Sequence, residues 1–456
     1  MTPPLAAGVD AATGASAHTT DIQRVLTPAG AEAWLVEERT VPVIAVEIAF
    51  RGGSAQDPAD KPGLVNLMTT LLDEGAGDMD ADAFQETLEE KAIELSFGSN
   101  RDGVTASLRT LPENLDEAFR LLGAALSTPR FDQAAVDRMR GQLSAQIRRN
   151  ALDPDDLAGR TLFAEAFPDH PYGRPPRGTV ESLGAIGRDD VVATHRKLVA
   201  RDNVVIGAVG AISKDQLAGL VDRLLAGLPE KAELVPVATV APAGVGRTEI
   251  VSLDVPQSSV VFGRAGPLRD ADDFIPAYVA NHILGGGTFS SRLFNEVREK
   301  RGLAYSVYSY LSPYDHSGLI LGGVATRNDR AGQSIDLIQA EIRRMATDGP
   351  TETELESARK FLIGSYALRF DTSTKIANQL VQLQLDHLGI DYIARRNALV
   401  AAVTIDEVRA AAKTLFGDGD LLVVAVGKPT GLTGATVRPA PGSAEMHSSA
   451  EIVGAA

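Results

Sequence analysis

Arg298 and Tyr305 stand seven positions apart in the stretch FNEVREKRGLAYSVYSY. A helix FNEVREKRG would carry Arg298 at its end, and a strand LAYSVYSY would carry Tyr305 on one face, so the two tips can converge on one point. A guanidinium and a phenol brought together in this way suit a peptide carbonyl whose oxygen becomes negative as water adds. The same residues also fit an arginine in a surface salt bridge and a tyrosine in a half-buried strand, and spacing alone leaves both open. Arg301, Tyr308 and Tyr310 lie nearby, in an aromatic-rich run that suits a cavity lining as well as a core.

A second stretch, LVNLMTTLLDEGAG at 64–77, has the outline of a catalytic helix with nothing catalytic in it. Gly63 opens it, and apolar residues recur at Leu64, Leu67, Met68, Leu71 and Leu72, yet the polar positions between them carry only Asn66, Thr69 and Thr70. Other routes to catalysis close as well. The chain has no cysteine, which removes thiolate zinc sites and thiol nucleophiles together, and it has no G-x-S-x-G elbow and no Walker A lysine. GGGTFSSR at 285–292 lacks the G-K-[ST] ending of a phosphate cradle. No two of the seven histidines fall at the spacing that puts two metal ligands on one helix face.

The elements that must position these groups are written twice. From about Asp21 come an opening strand pair (EAWLVEE and VPVIAVEIAFRGG), the emptied helix, the polar helix ADAFQETLEEKA and a hairpin. In that hairpin Ile93, Leu95 and Phe97 alternate, as do Val104, Ala106 and Leu108. The helices ENLDEAFRLLGAALSTP and DQAAVDRMRGQLSAQIRRNALD come next, and the strand in LVARDNVVIGAVGAI closes the half. After a tract at 229–249 rich in Pro, Ala, Val and Gly, the order recurs: SSVVFGRAGPLRD answers VIAVEIAFRGGSAQD, and IPAYVANHILGGG answers the emptied helix. Phe50 and Phe262, ahead of the two loops, are 212 positions apart. His282 lies on the counterpart of the emptied helix, and one imidazole does not make a zinc site.

The pattern predicts an α+β fold of two homologous repeats, each a largely antiparallel sheet backed by helices. Its expected bounds are a flexible lead-in at 1–20, repeats at 21–228 and 250–427 joined by the linker at 229–249, and a loose tail at 428–456. A length of 456 residues fits two cores, and 44% hydrophobic with 23% charged residues is a globular composition. A net charge of −16 disfavours nucleic acid and anionic lipid, and no apolar run reaches the ~20 residues that cross a bilayer, so no membrane insertion is expected. No signal peptide is present in the chain as given, but the Ala-, Gly- and Thr-rich start resembles the segment just downstream of a removed export signal. The expected location is therefore the periplasm, with the cytoplasm as the alternative.

Taken together, G-L-V-N-L-M-T-T-L-L-D-E-G-A resembles the inverzincin segment G-x-x-H-x-x-E-H-x-x-F-x-G-T of the pitrilysin and mitochondrial-processing-peptidase family, and SSRLFNEVREKRGLAYSV resembles the signature of that family's other half. In active members two histidines and a distant glutamate hold zinc, and the motif glutamate is general base for the attacking water. On this resemblance the histidine positions are Asn66 and Thr70, the glutamate position is Thr69, and the third ligand falls at Gln146 in DRMRGQLSAQI, all neutral. Arg298 and Tyr305 match the pair that the family presents to the zinc from the facing domain. The resemblance implies a non-catalytic, substrate-binding subunit of a heterodimeric zinc endopeptidase, with no cofactor in this chain, zinc in a homologous H-x-x-E-H partner, and peptides as substrates. Alone, the chain has no assigned activity. The alternative is a catalytically inert structural, assembly or peptide-binding protein of the same fold.

Overall fold

The computed structural model describes residues 21–441, so the lead-in at 1–20 and the tail beyond 441 lie outside the described residues. In the first half the strands are β1 (Ile22–Leu26), β2 (Glu32–Glu37), β3 (Ile44–Arg51), β4 (Glu94–Ser99), β5 (Gly103–Thr110) and β6 (Val204–Gly210). Its helices are α1 (Leu64–Thr69), α2 (Ala81–Glu90), α3 (Leu115–Ser127), α4 (Gln133–Asn150), α5 (Pro154–Ala166), α6 (Val180–Ala185), α7 (Arg188–Leu198) and α8 (Lys214–Leu225). The second half has β7 (Thr248–Ser252), β8 (Gln257–Ala265), β9 (Ala304–Tyr314), β10 (Ser317–Arg327), β11 (Leu422–Gly427) and β12 (Thr436–Pro439). Its helices are α9 (Phe274–Asn281), α10 (Ala331–Thr347), α11 (Glu352–Gly364), α12 (Ser373–Leu385), α13 (Tyr392–Ala402) and α14 (Ile405–Phe416).

The two sheets run β1-β2-β6-β3-β5-β4 and β12-β7-β11-β8-β10-β9, which is one order repeated. Pairing within the shared five strands has the same sense in both, parallel for β2 with β6 and for β7 with β11, antiparallel elsewhere. Phe50 sits between Val104 and Val204, and Phe262 between Gly322 and Val423, so the two phenylalanines occupy equivalent register positions. Only the outermost strand differs. β1 joins antiparallel from the start of the chain, whereas β12 joins parallel from its end. The segment expected to be loose from Lys428 thus contributes Thr436–Pro439 to the sheet, because the open edge of β7 offers it backbone partners. Between α8 and β7 there is no helix or strand, and β7 begins at Thr248, two residues inside the expected linker.

Each sheet covers one face with helices of its own half and the other face with a helix from the opposite half. Leu157, Ala158 and Leu162 of α5 pack with Leu321, Val424 and Val426 of the second sheet. Ala377 and Leu380 of α12 pack with Trp34, Ala45 and Val209 of the first. Gly207 in β6 permits that approach, since a Cβ there would lie 2.7 Å from the Ala377 carbonyl oxygen. α5 and α12 succeed α4 and α11 in the same place in each half, so the exchange is reciprocal. Polar contacts reinforce it. The Tyr172 hydroxyl donates to Asp102 and accepts from the His316 N–H at 3.0 Å, while Arg51 donates to the Leu385 carbonyl at 2.7 Å.

Candidate functional site

The emptied helix is shorter than its periodicity predicts: α1 ends at Thr69 and the chain continues in single turns to Glu74. The threonines are the physical reason. Thr69 Oγ1 donates to the Asn66 carbonyl and Thr70 Oγ1 to the Leu67 carbonyl, both at 2.8 Å, and such back-bonding competes with the helix ladder. Gly63 caps the start at φ +93°, where a Cβ would meet the Arg177 carbonyl at 2.8 Å. The Asp57 carboxylate accepts from the N–H groups of Gly63 (2.7 Å) and Val65 (2.8 Å). Burial nevertheless pushes its pKa up to about 7.

These residues do not fit zinc. The threonine hydroxyls are turned to carbonyls of their own helix, the Asn66 amide nitrogen is buried without a partner, and Gln146 is exposed on α4 beside Arg149. Amide and hydroxyl oxygens are weak zinc donors, and among the described residues no three His, Asp or Glu side chains gather as a metal site.

The counterpart in the second half is built differently. α9 runs on into a π-helical turn at His282–Gly286, and a second π turn occupies Phe294–Glu299 where a regular helix end was expected for Arg298. Widened turns of this kind re-aim side chains, and here they flank the start of β9. Gly285 lets the first turn lie against β9, since a Cβ would sit 2.3 Å from Ser309 Oγ. Ahead of the second turn, Arg292 is anchored by a two-pronged pair with Glu354 at 2.6 and 2.8 Å and by the Gly349 carbonyl at 2.9 Å. Burial works upward on the Glu354 carboxyl, but its bonds to Arg292 and Thr351 prevail and hold it at about 2.

Arg298 and Tyr305 come together as their spacing allows. The guanidinium lies 5.0 Å over the Tyr305 ring and 4.6 Å over the Phe294 ring, and its nearest carboxylate is Glu299 at 4.0 Å. Tyr305 is 83% exposed. Both line a cavity of about 980 Å³ whose wall includes His282, Tyr308, Tyr310 and Arg369. His282 is kept neutral there, because burial lowers its pKa to about 4, and it stacks on Phe361 at 5.1 Å. Tyr308 and Tyr310 stack on each other at 6.1 Å along β9, the unpaired edge of the sheet. The site therefore presents two hydrogen-bonding tips and an open strand edge, and Asn66, Thr69, Thr70 and Gln146 are not among its lining residues. Arg292, Glu354 and Arg369 escaped the sequence reading. They come from separate elements, and no spacing links them.

Comparison with known proteins matches residues 34–180 to the insulinase model of peptidase family M16 and residues 185–362 to the peptidase M16 inactive domain. A non-peptidase homolog, YmxG of Helicobacter pylori, is 31% identical over 346 residues, 75% of this chain and 79% of that protein. An uncharacterized zinc protease of Streptomyces coelicolor is 28% identical over 80% of this chain and 81% of its own. The crystal structure of a peptidase M16 inactive domain from Pseudomonas fluorescens superposes with a TM-score of 0.84 at 28% identity, covering 92% of this chain and all (100%) of that one. With both halves matched and the repeated sheet order in place, the chain belongs to peptidase family M16.

Proposed function

We propose that this chain is the non-catalytic, substrate-binding subunit of a heterodimeric zinc endopeptidase. A homologous H-x-x-E-H subunit would hold the zinc and activate water, and this chain would close over it and bring Arg298 and Tyr305 to the scissile carbonyl. The observation that carries the reading is the division within one molecule. A guanidinium-phenol pair, its phenol exposed and its guanidinium half-buried, stands on a large cavity in the second half, while the ligand positions in the first half are neutral and lie off that cavity. Two donors aimed at a developing oxyanion serve no purpose without a nucleophile, and the positions that would activate one carry only amides and hydroxyls. The name of the Helicobacter pylori relative, a non-peptidase homolog, agrees with a role short of hydrolysis. Phe289, 71% exposed, and Tyr305 leave large aromatic surface at the cavity for a partner to cover.

The test is purification from the native source and then reconstitution. The reading expects a homologue with an intact H-x-x-E-H motif to co-purify, and chelator-sensitive peptide cleavage to require both chains. Chelator-sensitive cleavage by this chain alone would overturn it. Stable association with non-peptidase proteins only would favour the assembly role.

A further inference from the structure

The cavity that carries Arg298 has a charge opposite to that of the protein. Four guanidinium groups line it, Arg269, Arg298, Arg369 and Arg396, against one carboxylate, Asp386, in a chain of net charge −16. That carboxylate is already engaged, since Arg269 Nε lies 3.5 Å from Asp386 and a second nitrogen of Arg269 donates to the Tyr392 hydroxyl at 2.9 Å. Arg396 is buried, 4.4 Å over the Tyr366 ring, and donates to the Leu362 carbonyl at 2.7 Å with no ion pair among the described residues. Arg369, on the turn Tyr366–Phe370, is exposed and has no ion pair among the described residues. His282, neutral by burial, adds nothing to the balance. A concave, partly desolvated wall concentrates such a field.

Resting on the reading of the cavity as a peptide chamber, we infer that it selects acidic peptides, with Arg369 receiving a carboxylate of the bound segment while Arg298 and Tyr305 remain free for the backbone carbonyl. Arg369 suits the task because a guanidinium presents a fork of N–H donors that matches a carboxylate. The aromatic wall of Tyr308, Tyr310 and Tyr366 would pack against the apolar parts of the same segment.

The experiment is a fluorescence-anisotropy titration of the full chain with dye-labelled peptides of one length. Three have amidated ends and carry glutamate, glutamine or lysine at the same positions, and a fourth is the glutamine peptide with a free C-terminal carboxylate. The amidated glutamate peptide should bind roughly tenfold tighter than its glutamine counterpart and tighter still than the lysine one, with the advantage shrinking as salt rises. Arg369→Gln, its fold checked by circular dichroism, should erase that advantage, and Arg369→Lys should restore part of it. If the free-acid glutamine peptide shares the gain, the carboxylate recognised is also the chain terminus; if it does not, it is a side chain, and either outcome supports carboxylate selection. Equal affinity for the glutamate, glutamine and lysine peptides would overturn the selection and leave the chamber reading standing. Absence of saturable binding by every peptide would overturn both.

Discussion

The emptied helix α1 and its counterpart at α9 hold the same place in the two repeats and do opposite things with their polar groups. At α1 the hydroxyls of Thr69 and Thr70 turn inward to carbonyls of their own helix, so neither is presented as a ligand. In the second half the chain leaves helical geometry twice, at His282–Gly286 and Phe294–Glu299, and the departure holds Arg298 beside an exposed Tyr305. A repeated fold thus lets one copy serve the core while the other carries the irregular geometry that brings Arg298 and Tyr305 together.

The sharpest way to break that contrast is to mutate both sides of it in the complex with the proposed H-x-x-E-H partner. Arg298→Ala and Tyr305→Phe should each lower turnover by on the order of 10²- to 10³-fold, the loss expected when one donor to a developing oxyanion is removed. Thr70→Ala should leave turnover near that of the parent complex. Steady-state kinetics on a quenched-fluorescence peptide, with assembly checked by gel filtration, decide it, and near-normal turnover in the first two variants would make the pair structural.

The anchor beneath the second π turn comes next. Glu354→Gln leaves Arg292 buried opposite a neutral amide and should cost about 2 kcal/mol at neutral pH, a value discounted for the partial exposure of Glu354. Because the folded carboxyl is held at about 2, below its ordinary 4.5, its contribution is present above the ordinary value and is lost as pH falls through about 2. Urea midpoints of parent and variant should converge in that acid range, and a constant gap would refute the assignment.

Glu47 on β3 titrates the other way. It is buried with one bond from Ser107 Oγ at 2.6 Å, and burial pushes its pKa from 4.5 up to about 7. The folded state then holds its proton more tightly than the unfolded chain, so this group's contribution is full below 4.5 and is lost as pH rises through about 7. Glu47→Gln should raise stability above pH 7 by on the order of 1–2 kcal/mol and change little near pH 4. A smaller gain at high pH than at low pH would contradict the burial argument.

The smallest expected effect is none. Zinc added to the isolated chain should leave its melting temperature unchanged, and metal analysis after dialysis should find less than one equivalent. One tightly held equivalent would erase the difference between the two regions.

Much of this arrangement was legible because it is local. Alternation in 93–97 and 104–108 marks β4 and β5, and Arg298 and Tyr305 are close enough in sequence for one helix-to-strand turn to join them. The shortening of α1 was not legible, since apolar spacing carries no sign of where two threonines will bond backward. Nor were the π turns, whose extra residue per turn leaves no trace in a six-residue stretch. Arg269, Arg369 and Arg396 are scattered along the sequence, and only the tertiary fold gathers them on one wall. α5 and α12 were not read from the sequence, and nothing in their apolar spacing says that each covers the other half's sheet.

That exchange of helices also sets the order of events on the ribosome. The face of the first sheet bearing Trp34, Ala45 and Val209 has no cover until α12, ending at Leu385, has emerged. A nascent chain paused in the segment before β7 therefore displays an apolar sheet face to solvent, and the same segment is a poor place to divide the protein into two expressible pieces. The molecule is made vectorially, yet its first half is not finished until most of the second has been made.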